Sequence, residues 1–312
     1  ALQDVFFPDR IVLGSRHDKA SEVMRRLYHK LVHRVNYDEL FRYFLFDRQV
    51  HPKTPAYYET DIKSAEMIKY ASNAFLAVKI SFINEIARLC ETLGANVMSV
   101  ASGMGLDSRI GDKFLQVSSG WSGSCFPKDT AELLATGKKY GCELSVVEAA
   151  IQSNGLMHKH VIDKVKQKLK SLNGKTIGIL GLTFKPNTDD ARHTQASVII
   201  GELLDVGARV KVHDPQGMGM FKALNELMEI GYCDNAHRVA DNADALILLT
   251  HWDEYARLGW EEIHASMRKP FVLDTRNFLN AAELNRLGFE YEGIGIGMPD
   301  ESKTADRLAI TY

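Results

Sequence analysis

At 312 residues and 45% hydrophobic composition, the chain can bury a full core and reads as two domains rather than one. Its formal net charge of −2 lacks the electrostatic footprint of a partner for nucleic acid or anionic membrane, so any phosphate on a ligand must be met by locally placed cations. No apolar stretch approaches a membrane span and the N-terminus carries no signal-peptide core. Cys90, Cys125, Cys142 and Cys233 show no CxxC spacing, and a reduced, cytoplasmic protein is expected.

In chain order, Ala1 to Arg16 reads like the middle of a domain, with Ile11–Leu13 as a short strand. Lys19–Leu31 follows as a helix with Val23, Leu27 and Leu31 on one face. From Leu31 to Asp61 aromatics mix with Pro52 and Pro55, and an irregular insertion is predicted around residues 36–58. The longest periodic run is Asp61–Leu93, closed by Gly94; Ile62, Ala65, Ile68, Ala71, Phe75 and Leu76 trace its stripe. At 1.5 Å per residue it makes a rod of roughly 50 Å, of the kind that serves as a spine or a dimer interface. Shorter helices are expected near Ala95–Gly103 and Pro127–Tyr140, and a longer one over Leu144–Leu172 with Asn173-Gly174 as its stop. Beyond that the pattern alternates: strands at Lys175–Leu182, Arg209–His213, Ala245–Thr250 and Pro270–Asp274, with a helix at Ser197–Val206. The fold class read here is α/β: a helical central segment with a long spine helix, then a Rossmann-like, doubly wound parallel sheet from about residue 174. The domains expected are 1–60, 61–173 and 174–312.

The sharpest chemical feature is Ser122-Gly123-Ser124-Cys125-Phe126-Pro127-Lys128-Asp129. Pro127 suits the first helical position, which puts Cys125 just ahead of a helix N-terminus, where partial positive charge favours a thiolate; Lys128 would add to it. Gly120, Ser122, Gly123 and Ser124 leave room before the sulfur, and Asp129 is near enough to orient or deprotonate a water. The competing reading, an inert cysteine at a helix start, is evenly matched on these residues. Lys69 and Asn73, at i and i+4, could bind an oxyanion, though the lysine equally suits an ordinary amphipathic helix. In the loop after the strand at 178–182, Lys185 and Arg192 are placed for phosphates or are plain surface charge. The loop is not GxGxxG. Asp214 resembles a ribose-binding acid, but Pro215 makes a strand stop equally good. No metal-ligand spacing occurs among the histidines.

Three segments, "EMIKYASNAFLAVKISFINEIARLCETLGAN", "GLDSRIGDKFLQVSSGWSGSCFPKD" and "GLTFKPNTDDAR", resemble the UDP-glucose and GDP-mannose dehydrogenase family in order and separation. The likeness runs from "FFPDRIVLGS" to "YEGIGIG" and is weakest at 36–58 and after Gly297. It implies NAD-dependent, four-electron oxidation of UDP-glucose to UDP-glucuronate in the full-length parent, with Cys125 as nucleophile through a thiohemiacetal and a thioester. Lys69 and Asn73 would stabilise the oxygen at C6, and Asp129 would position the hydrolytic water. Phe114, Leu115, Gln116, Val117 and Ser118 would hold the nucleotide sugar, with Lys185 and Arg276 as further substrate contacts. Lys128 and Arg192 would touch the NAD cofactor, and Arg109 would reach the neighbouring subunit's substrate in a homodimer across the long helix. Ser122 stands where the family has glycine beside the substrate. The family's GxGxxG domain and a glutamate expected just before Ala1 are not among these residues. Alternatives are the same chemistry on GDP-mannose or a UDP-N-acetylamino sugar, a non-catalytic binding or dimerisation fragment, and a 6-phosphogluconate-type dehydrogenase that would not need Cys125.

Overall fold

The computed structural model describes residues 5–44 and 54–297. The chain divides into two compact units, residues 1–72 and residues 73–312.

In the first unit, β1 (Arg10–Gly14) is followed by α1 (Asp18–Val32), α2 (Tyr37–Tyr43) and β2 (Ala56–Thr60). β1 and β2 pair in parallel, Arg10 opposite Ala56 through Gly14 opposite Thr60. A parallel pair needs a long crossover, and α1 and α2 lie within it. Arg25 on α1 makes a bidentate pair with Glu59 on β2, both bonds 2.6 Å. The predicted irregular stretch is therefore corrected in part: it contains α2 and β2, while residues 45–53 lie outside the described residues. Its aromatics hide the helix period because they form a local cluster, with Phe7 edge-on to Tyr37 at 5.4 Å and tilted on Phe41 at 5.7 Å.

α3 (Ile62–Leu93) ends at Gly94, whose φ of +73° is the left-handed stop expected there. In the second unit its buried stripe is Ala74, Ala77, Ser81, Ile83, Asn84, Ala87 and Cys90. Next come α4 (Val97–Gly105), α5 (Phe126–Lys139) and α6 (Ser145–Leu169). α4 starts two residues later than expected because Asn96 caps it, accepting from the Met98 N–H at 2.8 Å. α6 stops at Lys170 (φ +67°), not at Asn173-Gly174, which instead turns the chain into the sheet. Leu172, between the two, is buried in the core.

That sheet contains β3 (Thr176–Leu180), β4 (Arg209–His213), β5 (Gly231–Tyr232), β6 (Ala245–Leu248), β7 (Phe271–Asp274) and β8 (Glu290–Gly293). The order is β5-β4-β3-β6-β7-β8, every pair parallel. Order reverses between β3 and β6, the doubly wound topology anticipated, with the strand carboxyl ends of that pair as the switch point. β3, β6 and β7 are buried at every residue, because helices cover both faces. On one face Ile177, Ile179, Ile247 and Leu273 pack with Val161 and Val165 of α6 and with Ile199 and Leu203 of α7 (Gln195–Asp205). On the other, Leu180, Leu246, Leu248 and Val272 pack with Val239, Trp260 and Leu284. β5 and β8 were not foreseen. One has two residues and the other reads Glu-Tyr-Glu-Gly, so neither carries an apolar signature.

An ionic network joins α3, α6 and β8. Glu91 accepts from the Gly295 N–H at 2.7 Å and lies 3.0 Å from His160 Nε2 and 3.3 Å from Lys164, which also reaches Glu292 at 3.2 Å. Gly295 has no room for a side chain: with φ at +71°, a Cβ would sit 2.7 Å from that of Ala87. Burial works against the charge on Glu91, but the His160 bond, Lys164 and the Gly295 N–H outweigh it and hold its pKa below the ordinary glutamate value. A depressed carboxylate pKa contributes stability above the unfolded value that is lost as pH falls through the folded one. The expected outcome is that Glu91→Gln melts at lower temperature than the parent at neutral pH. The gap should close as pH drops below about 4, followed by thermal denaturation across pH 3–7.

Candidate active site

Cys125 caps α5. Phe126 takes the first helical position and Pro127 the second, so the proline stands one residue further in than its usual preference predicts. The thiol is exposed, 3.9 Å from Ser124 Oγ. The Asp129 N–H, on the first turn, donates to the Cys125 carbonyl at 2.9 Å. The Asp129 carboxylate is fully buried; it accepts from Asn73 Nδ2 at 2.6 Å and pairs with the half-exposed ammonium of Lys128. Thus Asn73, Asp129 and Lys128 are joined, as one carboxylate between an amide and an ammonium, beside the cysteine. A buried carboxylate held by an amide and an ammonium is fixed in orientation, which suits it to align a water. Lys69 belongs to the first unit, where its ammonium lies 5.6 Å from the Tyr70 ring centre.

The segment ahead of Cys125 is pinned to the core. Phe114 has φ +64°, Leu115 and Val117 are buried, and Gln116 Nε2 reaches the Asp112 carbonyl at 3.5 Å. The Ser118 N–H donates to Asn84 Oδ1 at 2.9 Å. Ser122 is half-buried. The Gly123 N–H donates to the His193 carbonyl at 3.2 Å, which ties this loop to the one after β3, and a Cβ on Gly123 (φ +88°) would meet the Phe184 ring at 2.9 Å.

On that second loop Arg192 is exposed and held by Asp190 through bonds of 2.9 and 2.7 Å. The bond to Asp190 raises the Arg192 pKa. Lys185 is exposed, its ammonium 5.5 Å from the centre of the Phe184 ring. Arg276, just past β7, donates from Nε to the Leu249 carbonyl at 2.8 Å, and burial pulls its pKa down to about 10. Arg109 is exposed and folds onto Asp107 of its own turn at 2.7 Å.

The structure thus gathers Cys125, Asn73, Lys128, Asp129 and Arg192. Lys185, Arg276 and Arg109 each stand on separate loops. Asp214, which could have been a ribose acid, is taken up internally: it accepts from the Leu182, Thr183, Gln216 and Gly217 N–H groups, Thr183 Oγ1 and Trp252 Nε1, all within 3.1 Å. The first turn of the sheet has its N–H groups spent on Asp214. A Cβ on Gly181 would touch the Thr250 nitrogen at 2.5 Å, so this turn is no cradle for a pyrophosphate. Asn84 was missed from the sequence. Its signal is a pair of polar residues, Ser81 and Asn84, inside the apolar stripe of α3, where buried polar groups need partners. A cavity of about 710 Å³ is lined by Trp121, Pro127, Asn154, His158, Arg192 and Gln195 among others, flanking Cys125 without including it. Among the described residues no three His, Cys, Asp or Glu are placed to hold a metal ion, and no helix is long and apolar enough to cross a membrane.

Residues 63–155 match the central domain, and residues 178–281 the UDP binding domain, of the UDP-glucose/GDP-mannose dehydrogenase family. A UDP-glucose 6-dehydrogenase of Rickettsia bellii is 39% identical over 95% of this chain and 64% of its own length. A solved UDP-glucose dehydrogenase of Pyrobaculum islandicum superposes with a TM-score of 0.79 at 33% identity, over 95% of this chain and 61% of that one. An NDP-N-acetyl-D-galactosaminuronic acid dehydrogenase of Methanosarcina mazei does so at 0.74 and 25%, over 94% and 59%. The chain spans less than two thirds of the length of the curated relatives it matches. Both models describe one family and together match more than half of the residues, with the cysteine loop inside the first. The chain belongs to the UDP-glucose/GDP-mannose dehydrogenase family.

Proposed function

We propose that this chain forms the covalent-chemistry and nucleotide-sugar-binding part of an enzyme that oxidises UDP-glucose to UDP-glucuronate. The observation that carries the reading is the exposed Cys125 at the head of α5, with Asn73, Asp129 and Lys128 joined beside it and the loop that bears Arg192 tied to the cysteine loop through Gly123 and His193. The first oxidation removes a hydride from C6 and a proton from its hydroxyl, giving the aldehyde. The Cys125 sulfur adds to the aldehyde carbon and the oxygen takes up a proton, which gives a thiohemiacetal. Loss of a second hydride from that carbon and of the hydroxyl proton leaves a thioester, which water splits to the acid and the free thiol. Asn73 and, by family resemblance, Lys69 hold the C6 oxygen while it carries charge. Asp129 holds the attacking water, aimed by the Asn73 amide and the Lys128 ammonium.

NAD would supply the acceptor for both hydrides. The described residues fit it only as a second wall: Lys128 and Arg192 offer exposed cations, whereas the N–H groups of Leu182 and Thr183 in the turn after β3 are taken by Asp214. Lys185 and Arg276 would take the UDP, with the backbone of Phe114 to Ser118. Residues 61–173 would then be the catalytic and dimerisation segment, 174–312 the UDP-binding domain, and 1–60 the end of a preceding domain, in a cytoplasmic enzyme. Phe75, Phe82 and Leu89 are exposed at seven-residue spacing on α3 and form the apolar seam a homodimer would bury. A monomer in sedimentation of the purified protein would remove that assembly.

The parent enzyme is expected to yield two NADH per UDP-glucose, with GDP-mannose and UDP-N-acetylamino sugars slower at equal concentration. A faster rate on either would transfer the assignment to that sugar. The amino-sugar reading has the support of the likeness to the Methanosarcina mazei dehydrogenase.

A further inference from the structure

Trp121, four residues before Cys125, is held from three helices, its backbone from two and its indole from the third. Asn154 on α6 reads it from both sides, accepting from its N–H at 2.8 Å and donating to its carbonyl at 3.0 Å. Gln195, the first residue of α7, donates its Nε2 to the same carbonyl. Ser81 on α3 accepts from the indole Nε1 at 2.8 Å and passes its own proton to the Ala150 carbonyl at 2.7 Å. Gly120 completes the fit: its φ is +127°, and a Cβ there would lie 2.6 Å from Asn154 Oδ1. Trp121, Asn154 and Gln195 are all more than nine-tenths buried. On the far side, the indole meets Phe126, the first residue of α5, edge-on at 6.4 Å. The loop therefore cannot slide relative to α6 and α7 without breaking bonds at one carbonyl, and the start of α5 moves with it.

We propose that Asn154 and Gln195 are positioning residues for Cys125: by fixing the Trp121 peptide they set where α5 begins, and so where the sulfur stands relative to Arg192 and Asp129. The inference deepens the reading of Cys125 as the nucleophile and rests on it for its functional meaning. Both amides also line the 710 Å³ cavity, which lets water reach a vacated bond and keeps the variants foldable.

The test needs no substrate. Iodoacetamide alkylation at one fixed pH is followed by peptide mass spectrometry, with the exposed Cys142 as internal reference. Gln195→Ala, which loses one hydrogen bond, should slow Cys125 about fivefold, and Asn154→Ala, which loses two, at least as much, and both should leave Cys142 unchanged. Gln195→Glu keeps shape and volume but turns an acceptor toward the carbonyl; it should behave like Gln195→Ala, whereas a packing role would leave it at the parental rate. Should the alanine variants fail to fold, Gln195→Glu and Ser81→Ala carry the comparison. Parental Cys125 rates in Gln195→Glu, or Cys125 and Cys142 moving together, would overturn the proposal. Turnover by a Cys125→Ala enzyme would instead sink the nucleophile and leave this result standing.

Discussion

Replacing Cys125 with alanine in the full-length parent should lower formation of the acid by a factor on the order of 10⁴ or more, with the fold intact. The second oxidation removes a hydride from a tetrahedral carbon that bears a hydroxyl, and sulfur addition to the aldehyde makes that carbon. Without the thiol the sequence stops at the aldehyde level or relies on slow hydration of the free aldehyde. Stability should hardly change, since the side chain is exposed and its contact is a 3.9 Å approach to Ser124. Equal melting temperatures with the loss of acid formation would place the effect in the chemistry. Cys125→Ser tests the same point more finely. A hydroxyl fits the space but is a poorer nucleophile and leaving group, and it should leave the enzyme similarly slow.

The second large effect concerns stability. Asp214→Ala should cost about 3–5 kcal/mol in urea denaturation, because four backbone N–H groups, a hydroxyl and an indole lose their common acceptor inside the protein. The carboxylate is 2% exposed, so water cannot replace it cheaply. Asp214→Asn, which keeps one oxygen for part of the set, should fall between the two. A loss below about 1 kcal/mol for the alanine variant would mean that the loop after β3 is held by something else. Asp214 is consumed inside the sheet's first turn, whereas the cations beyond it, Lys185 and Arg192, are exposed.

The parallel core was legible because its central strands, β3, β6 and β7, are nearly continuous apolar runs. A run such as Thr176–Leu180 can only sit between two helical layers. The long helix was legible because helix-forming residues run on to a glycine stop, but Ala71 and Phe75 of the stripe read from the sequence are exposed and the buried face runs through Ala74, Ala77 and Ser81 instead. β8 was not, since an edge strand needs no apolar face, and α2 was hidden by aromatics that serve a local cluster rather than a helix stripe. For the site, Cys125, Pro127 and Asp129 could be read together because they share one helix start. Asn73 and Asp129 are 56 positions apart, and their 2.6 Å bond followed from no spacing rule; only the family resemblance paired them. Asp214 shows the opposite case. A residue whose position suggested a ligand contact proved to be consumed by its own loop, and no pattern in the sequence counts donors around a carboxylate.

The most direct measurement is the intact mass and peptide map of an Asp129→Asn parent enzyme after incubation with UDP-glucose and NAD. Slowed hydrolysis should leave the oxidised sugar nucleotide on the Cys125 peptide, only when both compounds are present, and hydroxylamine should release it. An unmodified Cys125 in a variant that still reduces NAD would contradict the account.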